Sequence, residues 1–583
     1  MQKKQYWNVK TLVFMALLIA MHLVLTRVLV IDLGAYRISV GSVCTILAGL
    51  WLGPVAGGVC GLCADIIGCF MKGYAVNPFI TVAAILWGVL PALAKPLFAN
   101  RKKTGKVERP VKVLQFGEGN FLRAFVDYMI DIANEQGKFN GDIVLVKPIE
   151  FGSLDRFHDQ ECQYTVQLRG IVDGEPKRIN RIVTSVADAV DAYGEYQKYA
   201  DYAKLDSLRY IVSNTTEAGI VYDDTDRLEM EPPKSYPGKL TKFLYERYKH
   251  FNGAMDKGLV MLPVELIDDN GIHLKECVEK LAVLWNLEDG FKTWLDEACV
   301  FTSTLVDRIV TGYPRDEAEE LCKEFGYQDN LIVTGEPFAL WVIESAKDIS
   351  KEFPLPDAGL PVIFTDNQKP YKQRKVRILN GAHTSFVLAS YLCGNDIVLE
   401  SMQDELIFNF MKATIFDEVI PTLTLPKQDL IDFAEAVITR FNNPYVKHAL
   451  LSISLNSVSK WRARCMPSFL EYIKNEGKLP THLTFSLAAL MAFYTGTEIR
   501  DKALIGHRDG TEYQILDDAA VLEFFAANSS KDAAEYTHAV LSNEHFWGED
   551  LTKLAGVEEA VTGYMEDIRA LGMRAAMEKT FNA

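Results

Sequence analysis

The chain has 583 residues, 49% hydrophobic and 24% charged, a composition that fits globular protein together with some membrane-embedded protein. At about 150 residues per domain, this length predicts three or four folded units. The net charge of −16 is uneven, because residues 1–110 hold twelve Lys and Arg against three Asp and Glu, and the strongly acidic remainder argues against a nucleic-acid partner.

The first hundred residues are predicted to cross a membrane. TLVFMALLIAMHLVLTRVLVI (11–31) is nearly uncharged and long enough to span a bilayer at about 1.5 Å per residue. Apolar runs rich in Gly and Ala follow near 39–53, 54–71 and 77–98, and small residues let membrane helices approach closely. We expect about four spans, with a buried hairpin of a soluble protein as the alternative.

Positive charge flanks this apolar region on both sides. The flanking residues are Lys3, Lys4 and Lys10 before it and Arg101, Lys102, Lys103 and Lys106 after it. Since cytoplasmic flanks of membrane spans are enriched in Lys and Arg, both ends of an even number of spans are expected in the cytoplasm. The predicted location is the cell membrane with the rest of the chain in the cytoplasm, or the cytoplasm alone if the segment is absent or an artefact.

The apolar segment also resembles a transporter family. The matching stretches are YRISVGSV (36–43), LAGLWLGPVAGGVCGLCADIIGCF (47–70) and NPFITVAAILWGVLPAL (77–93). They resemble the substrate-binding component of folate-type energy-coupling-factor transporters, which has more spans than this chain. The resemblance implies a truncated component, with the lipid bilayer and, if it functions, energy-coupling-factor subunits as partners. A natural fusion and a joined transporter fragment both fit the sequence.

A charged linker (99–110) leads into a nucleotide-binding pattern. The stretch VKVLQFGEGNFLRAFVDYMIDIA (111–133) predicts a buried parallel strand, a turn at Gly117-Glu118-Gly119 and an amphipathic helix. A dinucleotide site needs this order, because glycines let the pyrophosphate approach bare backbone at a helix N-terminus. Leu122 replaces the third glycine of the usual motif, so a purely structural turn is the alternative.

Strands and helices alternate as far as residue 365. Buried strands are predicted at 111–116, 142–148, 209–214 and 258–266. This alternation indicates a doubly wound, Rossmann-type α/β domain at 111–365, whereas helical spacing predicts a mainly α-helical domain at 366–583. Glu150, beyond the second strand, is a candidate for a ribose hydroxyl and would favour NAD over NADP. The predicted fold thus joins these two domains to a transmembrane segment at 1–98.

The nonapeptide KVRILNGAH (375–383) places Lys375, Asn380 and His383 at offsets of zero, five and eight. On an α-helix these offsets rotate by about 140° and 80°, so the three side chains can line one wedge of a cleft. A lysine whose pKa falls to about 7–8 can act as acid or base there. The asparagine can stabilise a developing oxyanion, and the histidine can bind a hydroxyl or orient the amine. The alternative is a surface lysine, a solvent-facing asparagine and a satisfied core histidine.

KVRILNGAH resembles the Lys-x4-Asn-x2-His pattern of the mannitol dehydrogenase family, the polyol-specific long-chain dehydrogenases. Other matching stretches are FGEGNFLRAF (116–125), LVDRIV (305–310), GEPFALWVIE (335–344) and RFNNPYVKHALLSISLNSVSKWRARCMP (440–467). SNTTEAGI, LPVELIDDNG and ISLNSVSKW are similar to the branch that acts on tagaturonate. The resemblance covers 111–575 and implies metal-independent, NAD-linked hydride transfer between D-tagaturonate and D-altronate. A fructuronate, mannonate or other polyol dehydrogenase, and a membrane vitamin-binding component, are the alternatives.

The resemblance also implies roles for individual residues. It indicates Lys375 as the acid/base, Asn380 as the group that polarises the carbonyl and His383 as a substrate contact. The expected NAD contacts are Phe116, Gly117, Gly119, Asn120, Phe121, Asn214 and Glu217. The expected substrate contacts are Glu265, Arg440, His448 and Lys460, the basic ones facing the carboxylate of a sugar acid. Glu265 stands where some members place an oxyanion-hole asparagine, and we expect it to contact a sugar hydroxyl instead.

Overall fold

The computed structural model describes residues 9–27, 31–32, 37–38, 41–98, 106–216 and 218–581. By internal contacts the chain forms two compact units: residues 1–105 with 317–329, and residues 106–316 with 330–583. Most of the predicted linker and of the basic flanks lies outside the described residues: Lys3, Lys4, 99–105 and, among these, Arg101, Lys102 and Lys103. The domain boundary predicted at residue 365 remains a prediction, because 106–316 and 330–583 belong to one unit.

The described residues contain the following helices. They are α1 (Val9–Arg27), α2 (Ser42–Leu52), α3 (Pro54–Lys72), α4 (Pro78–Phe98), α5 (Asn120–Leu122), α6 (Tyr128–Glu135), α7 (Asp155–Asp159), α8 (Tyr196–Asp201), α9 (Tyr236–His250), α10 (Asn270–Leu284), α11 (Asp289–Glu297), α12 (Ala318–Phe325), α13 (Lys369–Arg374), α14 (Gly381–Leu392), α15 (Val398–Gln403), α16 (Glu405–Ala413), α17 (Lys427–Phe441), α18 (Leu450–Ile453), α19 (Ser457–Arg464), α20 (Met466–Glu476), α21 (Thr481–Phe493), α22 (Ala519–Asn528), α23 (Ala533–Leu541), α24 (Glu544–Trp547), α25 (Val557–Leu571) and α26 (Met573–Phe581). Segments of π-helix occupy Arg123–Asp127, Lys375–Asn380 and Thr414–Val419.

The strands are mostly short. They are β1 (Ile31–Asp32), β2 (Arg37–Ile38), β3 (Val111–Phe116), β4 (Asp142–Lys147), β5 (Tyr164–Val172), β6 (Glu175–Val183), β7 (Val186–Asp191), β8 (Tyr210–Ser213), β9 (Val260–Pro263), β10 (Val300–Phe301), β11 (Ser303–Asp307), β12 (Val310–Gly312), β13 (Val333–Gly335), β14 (Leu340–Glu344), β15 (Val362–Thr365), β16 (Ile499–Arg500), β17 (Ala503–Arg508) and β18 (Thr511–Ile515). The four strands predicted from sequence correspond to β3, β4, β8 and β9.

In the first unit, the four apolar segments predicted from sequence are helices α1 to α4. Among the described residues, α3 alone is long and apolar enough to cross a membrane, and the apolar parts of the others are shorter. Helix α2 has 11 residues and so extends about 16 Å, roughly half of a hydrocarbon core of about 30 Å. The structure therefore supports four apolar helices, but not a count of about four spans.

Helices α3 and α4 approach each other through small residues. A Cβ on Gly61 would collide with the carbonyl oxygen of Ala84, and one on Gly88 would collide with that of Gly57. Backbones at this distance leave no room for side chains between them, which is how helices pack where lipid surrounds them.

The second unit is built on a six-stranded parallel sheet with the order β10-β9-β8-β3-β4-β7. The strand of this sheet that comes first in the sequence, β3, lies at the centre, and the later strands are added outward on either side of it. This is the doubly wound order of dinucleotide-binding domains, in which ligands bind beyond the carboxyl ends of the central strands. The Rossmann-type prediction is confirmed.

Each face of this sheet buries its own hydrophobic core. Val113 and Leu145 point to a core shared with Met129, whereas Leu114 points to the opposite core with Phe243. Alternate residues of a strand face opposite sides, so a strand buried on both faces is apolar throughout. For this reason the largely apolar stretch VKVLQF could be predicted as a central strand.

Two smaller sheets adjoin this core, with the orders β11-β14-β15 and β12-β13-β5-β6. The long hairpin β5-β6 was not predicted, because its strand EPKRINRIV is largely polar. Strand β11 ends at Asp307, next to the cavity described below.

The C-terminal part is mainly helical, as predicted, and packs around the buried helices α14 and α21. It also contains a small sheet, β16-β17-β18, that the sequence analysis missed. Arg508 pairs with Thr511, so Asp509 and Gly510 form a two-residue turn, and both have positive φ (50° and 80°). Asp-Gly is a typical sequence for that turn, so the signal was present in the sequence.

Candidate active site

The turn after β3 is shaped for close approach by a ligand. Gly117 has φ +115°, a conformation that favours glycine, and a Cβ there would lie 3.0 Å from the carbonyl oxygen of Asn214. A Cβ on Gly119 would meet nothing within 4 Å, so open space adjoins this backbone. Arg123 holds the turn from below by donating to the carbonyl oxygen of Glu118 at 3.2 Å.

Only some of the remaining predicted NAD contacts lie at the cavity. Phe121 and Asn214 line the large cavity beside the turn. Phe116 is fully buried with its ring 5.0 Å from that of Tyr236, so its side chain belongs to the core. Glu217 lies outside the described residues.

Two polar residues near the turn, Asn120 and Asp191, already have side-chain partners. Asn120 accepts a hydrogen bond from Arg123 at 2.7 Å through its side-chain oxygen. Glu150, the candidate for a ribose hydroxyl, is exposed. Another carboxylate at the same edge of the sheet, that of Asp191, lies 3.0 Å from the buried Lys147 ammonium.

Lys375 lies on the wall of the same cavity with most of its side chain buried. Its ammonium donates to the carbonyl oxygen of Val306 at 2.8 Å. Burial lowers the pKa of this ammonium below its ordinary value, nearby Asp307 opposes that shift, and the Arg440 charge adds to it. The lysine therefore lies where a group can exchange a proton with a ligand in the cavity.

Lys375 and Asn380 bound a segment of π-helix rather than α-helix. The rotation of about 140° expected between them is therefore wrong, because a π-helix places residues i and i+5 in hydrogen-bond register. The extra residue in the turn brings the lysine and the asparagine to the same side. Both line the cavity, as does His383 in the first turn of α14.

His383 is enclosed by aromatic rings. Its ring stacks on Phe441 at 4.2 Å between centroids and meets His448 edge-on at 5.4 Å. Its Nε2 is buried and has no hydrogen-bond partner among the described residues. Burial, followed by the neighbouring cations, holds the pKa of His383 well below its ordinary value, so the ring is neutral at physiological pH.

These residues share a cavity of about 760 Å³, which suits a small ligand. Its lining combines apolar and polar groups: Phe121, Asn214, Thr216, Ala218, Val264, Leu266, Val306, Asp307, Arg308, Ile309, Lys375, Leu379, Asn380, His383, Val398, Arg440, Phe441, Val446 and His448. Asn214 and Phe121, which adjoin the glycine turn, therefore line the same cavity as Lys375.

Arg440 also lines the cavity, but its guanidinium is occupied. It donates to both carboxylate oxygens of Asp307 at 3.0 Å, and to both of Glu336 at 2.8 and 2.9 Å. All three side chains are buried, with exposed fractions of 5%, 7% and 2%. A guanidinium has five N–H donors, so only one remains for a substrate. We call Arg440, Asp307 and Glu336 the buried ion triad.

Glu265 does not line the cavity. Its carboxylate accepts from the Ser213 hydroxyl at 3.1 Å and from the Thr215 backbone and hydroxyl at 2.9 and 3.0 Å. It therefore fixes the loop that carries Asn214, and its predicted contact with a sugar hydroxyl has no counterpart in this geometry.

The last two predicted substrate contacts lie at the His383 end of the cavity. His448 lines the cavity and is half-buried, and burial lowers its pKa. Lys460 is on α19, outside the lining, and donates to the carbonyl oxygen of Ile453 at 2.9 Å.

Asp307 and Glu336 were missed, although both belong to stretches that drew attention in the sequence, LVDRIV and GEPFALWVIE. The sequence feature that could have identified them is a carboxylate at or directly after the end of an apolar strand. Nothing in the sequence showed that both would pair with Arg440, which lies 133 and 104 positions away.

Models of known protein families match most of the chain. A model of the mannitol dehydrogenase Rossmann domain matches residues 111–356, and one of the mannitol dehydrogenase C-terminal domain matches residues 367–569. Residues 10–113 match the substrate-specific component of ECF transporters. The parallel sheet, its glycine turn and the adjoining lysine define an oxidoreductase, and the chain belongs to the mannitol dehydrogenase family.

Curated relatives are similar over nearly their whole length. The chain is 44% identical to an altronate oxidoreductase of Yersinia enterocolitica over 485 residues, covering 82% of this chain and 98% of that one. It is 45% identical to one of Pectobacterium atrosepticum (82% and 99% covered) and 43% identical to one of Bacteroides thetaiotaomicron (81% and 98% covered).

Solved structures share the fold at lower identity. A substrate-free D-sorbitol dehydrogenase is 20% identical with a TM-score of 0.67, covering 82% of this chain and 98% of that one. The mannitol 2-dehydrogenase of Pseudomonas fluorescens, solved with NAD and D-mannitol, is 22% identical with a TM-score of 0.56, covering 82% and 95%.

Proposed function

We propose that the chain is an NAD-dependent oxidoreductase that interconverts D-tagaturonate and D-altronate. The observation that carries this proposal is a mostly buried lysine, beside two amides, in a cavity that adjoins the glycine turn. The altronate oxidoreductases that match this chain over nearly their full length support the choice of substrate.

The residues of the turn fit a dinucleotide. The open space at Gly119 and the left-handed Gly117 leave bare backbone at the start of a continuous helical run, 120–135, where a pyrophosphate would be held. Phe121 and Asn214 would contact the end of the cofactor that enters the cavity. When bound, NADH supplies the hydride for the ketone carbon.

Lys375 donates or accepts the proton of the reaction. As an ammonium it has three N–H donors. One donates to Val306, and the other two have no acceptor among the described residues and can meet the substrate oxygen. In reduction it gives its proton to that oxygen, and in the reverse direction the neutral amine takes the proton from the hydroxyl. Burial lowers its pKa below the ordinary lysine value, which increases the fraction of neutral amine at any given pH.

Asn380 and His383 orient the substrate and stabilise charge. The Asn380 amide, adjacent to Lys375 across the π-turn, donates to the oxygen as negative charge develops. Asn214, predicted as a cofactor contact, lines the same cavity and offers a second amide. The free Nε2 of neutral His383 can exchange a hydrogen bond with a neighbouring sugar hydroxyl.

A substrate screen tests this proposal. The full-length protein is assayed for NADH oxidation with tagaturonate, fructuronate and fructose, and we expect the highest kcat/KM with tagaturonate. A higher value with fructuronate would move the chain to another sugar acid of the same family. A higher value with fructose would contradict a sugar-acid dehydrogenase.

We also propose that residues 9–98 anchor the enzyme in a lipid bilayer, with the catalytic unit in the cytoplasm, where NAD is available. Large apolar side chains project from these helices into solvent, among them Trp51 (62% exposed), Phe70 (76%) and Phe79 (86%). An outward-facing apolar surface over a small-residue interior suits lipid. The match to a transporter component supports the anchor, whereas vitamin binding and energy-coupling-factor partners stay predictions.

Membrane fractionation tests the anchor. We expect the full-length protein to sediment with membranes, to resist an alkaline carbonate wash and to dissolve in detergent, because buried apolar helices hold integral proteins in the bilayer. A variant with Phe70 and Phe79 changed to Ser should be less firmly held. Release of the parent protein by carbonate alone would contradict the anchor.

A further inference from the structure

Basic residues are concentrated near the His383 end of the cavity. Arg440 and His448 line the cavity there, whereas Lys460 and Arg464 lie on α19, outside the lining. The charges that lower the pKa of His383, after burial itself, come from His448, Arg440, Arg464 and Lys460. In a chain with a net charge of −16, such a concentration of basic groups around one wall of a cavity points to an anionic ligand.

Two of these basic residues, Arg464 and Lys460, are not held in an ion pair among the described residues. Arg464 contacts the Thr384 hydroxyl at 3.4 Å, and Lys460 donates to a backbone carbonyl. Within the described part of the chain neither forms an ion pair, in contrast to Arg440, whose donors are committed to the buried ion triad.

Both residues lie on one face of α19, four positions apart. The C-terminal end of that helix touches the start of α14: a Cβ on Gly381 would lie 3.3 Å from the carbonyl oxygen of Arg464. The Cys465 thiol donates to the carbonyl oxygen of Gly381 at 3.5 Å. Arg464 is therefore held against the turn that carries Asn380 and His383.

Leaving these charges unpaired is unfavourable. Burial lowers the pKa of both groups, and for Lys460 the nearby Asp517 carboxylate only partly opposes that effect. Partly buried cations without a counter-ion gain most from an anion that brings its own charge and hydrogen-bond acceptors.

We propose that Arg464 and Lys460 form the subsite that binds the carboxylate of the substrate, with His448 at its border. This assignment rests on the proposed function, because it concerns the sugar acid that is reduced beside Lys375. Arg464 supplies two parallel N–H donors to a carboxylate, and Lys460 supplies a point charge. The subsite selects sugar acids over uncharged ketoses and polyols, while the buried ion triad shapes the wall beside it.

Kinetics of Arg464→Gln in the full-length protein test this subsite. Since a hydrogen bond to a charged group contributes roughly 10- to 100-fold, kcat/KM for tagaturonate should fall by that factor, mainly through KM. For the uncharged ketohexose tagatose, kcat/KM should change less than about threefold. Arg464→Lys should restore part of the loss. Equal losses for both ketoses, or no loss for tagaturonate, would overturn the proposal.

The neighbouring Arg462 is the matched control, because it lies on the same helix and is exposed. Arg462→Gln should leave the preference for tagaturonate over tagatose unchanged. A loss of preference in this variant as large as that of Arg464→Gln would show a general charge effect and would also overturn the proposal.

Binding without turnover separates this inference from the proposed function. Calorimetric titration, with and without NAD, compares the aldonate galactonate with galactitol, its uncharged counterpart. The parent should bind the aldonate at least about tenfold more tightly, and Arg464→Gln should lose that preference. If the preference exists but tagaturonate is not reduced, the proposed function fails and the subsite stands. If the parent shows no preference, the subsite fails.

Discussion

Lys375→Ala is expected to lower kcat for tagaturonate reduction by about a thousandfold or more while NADH binding is retained. The side chain lines the cavity and its hydrogen bond goes to Val306, not to the glycine turn, so its loss should remove the proton donor without altering the proposed cofactor site. General acid catalysis contributes about 10²- to 10⁴-fold, and the ammonium also offsets charge on the reacting oxygen. Single-turnover kinetics and NADH fluorescence titration measure the two quantities.

The pH profile of the parent enzyme gives a second check on Lys375. Reduction needs the ammonium, so its kcat/KM should fall as pH rises through the pKa, which burial places below the ordinary lysine value. Oxidation of altronate needs the neutral amine, so its kcat/KM should rise over the same interval. Both dependences should disappear in Lys375→Ala.

Lys372 provides the matched control, because it lies three residues away and pairs with Asp268 near the surface. Lys372→Ala should keep turnover within a fewfold of the parent. Turnover of Lys375→Ala within about tenfold of the parent would show that another group transfers the proton.

Arg440→Met is expected to lower the free energy of unfolding far more than the loss of a surface ion pair would. It removes the guanidinium that pairs with Asp307 and Glu336 and leaves two carboxylates buried without a counter-ion. Removing one partner of a buried ion pair costs about 3–5 kcal/mol. Thermal unfolding of the full-length protein, followed by circular dichroism at pH 7.5, should show a clear fall in Tm.

Acidification should partly reverse that loss. Burial already raises the pKa of Glu336, and the Arg440 charge is the main group that lowers it, so the pKa should rise further in the variant. The folded state then binds more protons than the unfolded state between neutral pH and the ordinary glutamate pKa of about 4.3. Stability of the variant relative to the parent should therefore recover as pH falls from 8 to 5.5.

Arg500 is a suitable control, because it also pairs with two carboxylates, Glu498 and Glu512, at 2.9 and 3.0 Å, but on the surface. Arg500→Met should change Tm little, since solvent already screens these charges. A similar fall in Tm for both variants would contradict a special role for the buried ion triad.

Local pattern made the nucleotide side of the molecule predictable. VKVLQF has apolar residues on both faces and is followed by a glycine turn, so the central strand, the turn and the following helical run could be placed before any contact was known. The grouping of Lys375, Asn380 and His383 was also predictable, because they are neighbours in the chain. The rotation between the first two was not, since nothing local marks the π-helical turn.

The N-terminal helices show a different limit. Composition identified four apolar segments, and the structure contains four helices there, but α2 is too short to span a bilayer in a straight path. Where a helix starts and ends depends on Gly and Pro residues such as Gly53 and Pro54, and apolar composition alone does not fix those positions.

The sequence by itself determined the doubly wound order of elements, the glycine turn and the chemical groups near residue 380, because each depends on neighbours along the chain. Only the tertiary structure decided which basic residues are neutralised by ion pairs. Arg440 is neutralised by carboxylates 133 and 104 positions away, whereas Arg464 and Lys460 remain without an ion-pair partner in the described residues. Ion pairing in a low-dielectric interior depends on distances of a few ångströms, and folding alone brings such distant residues within them.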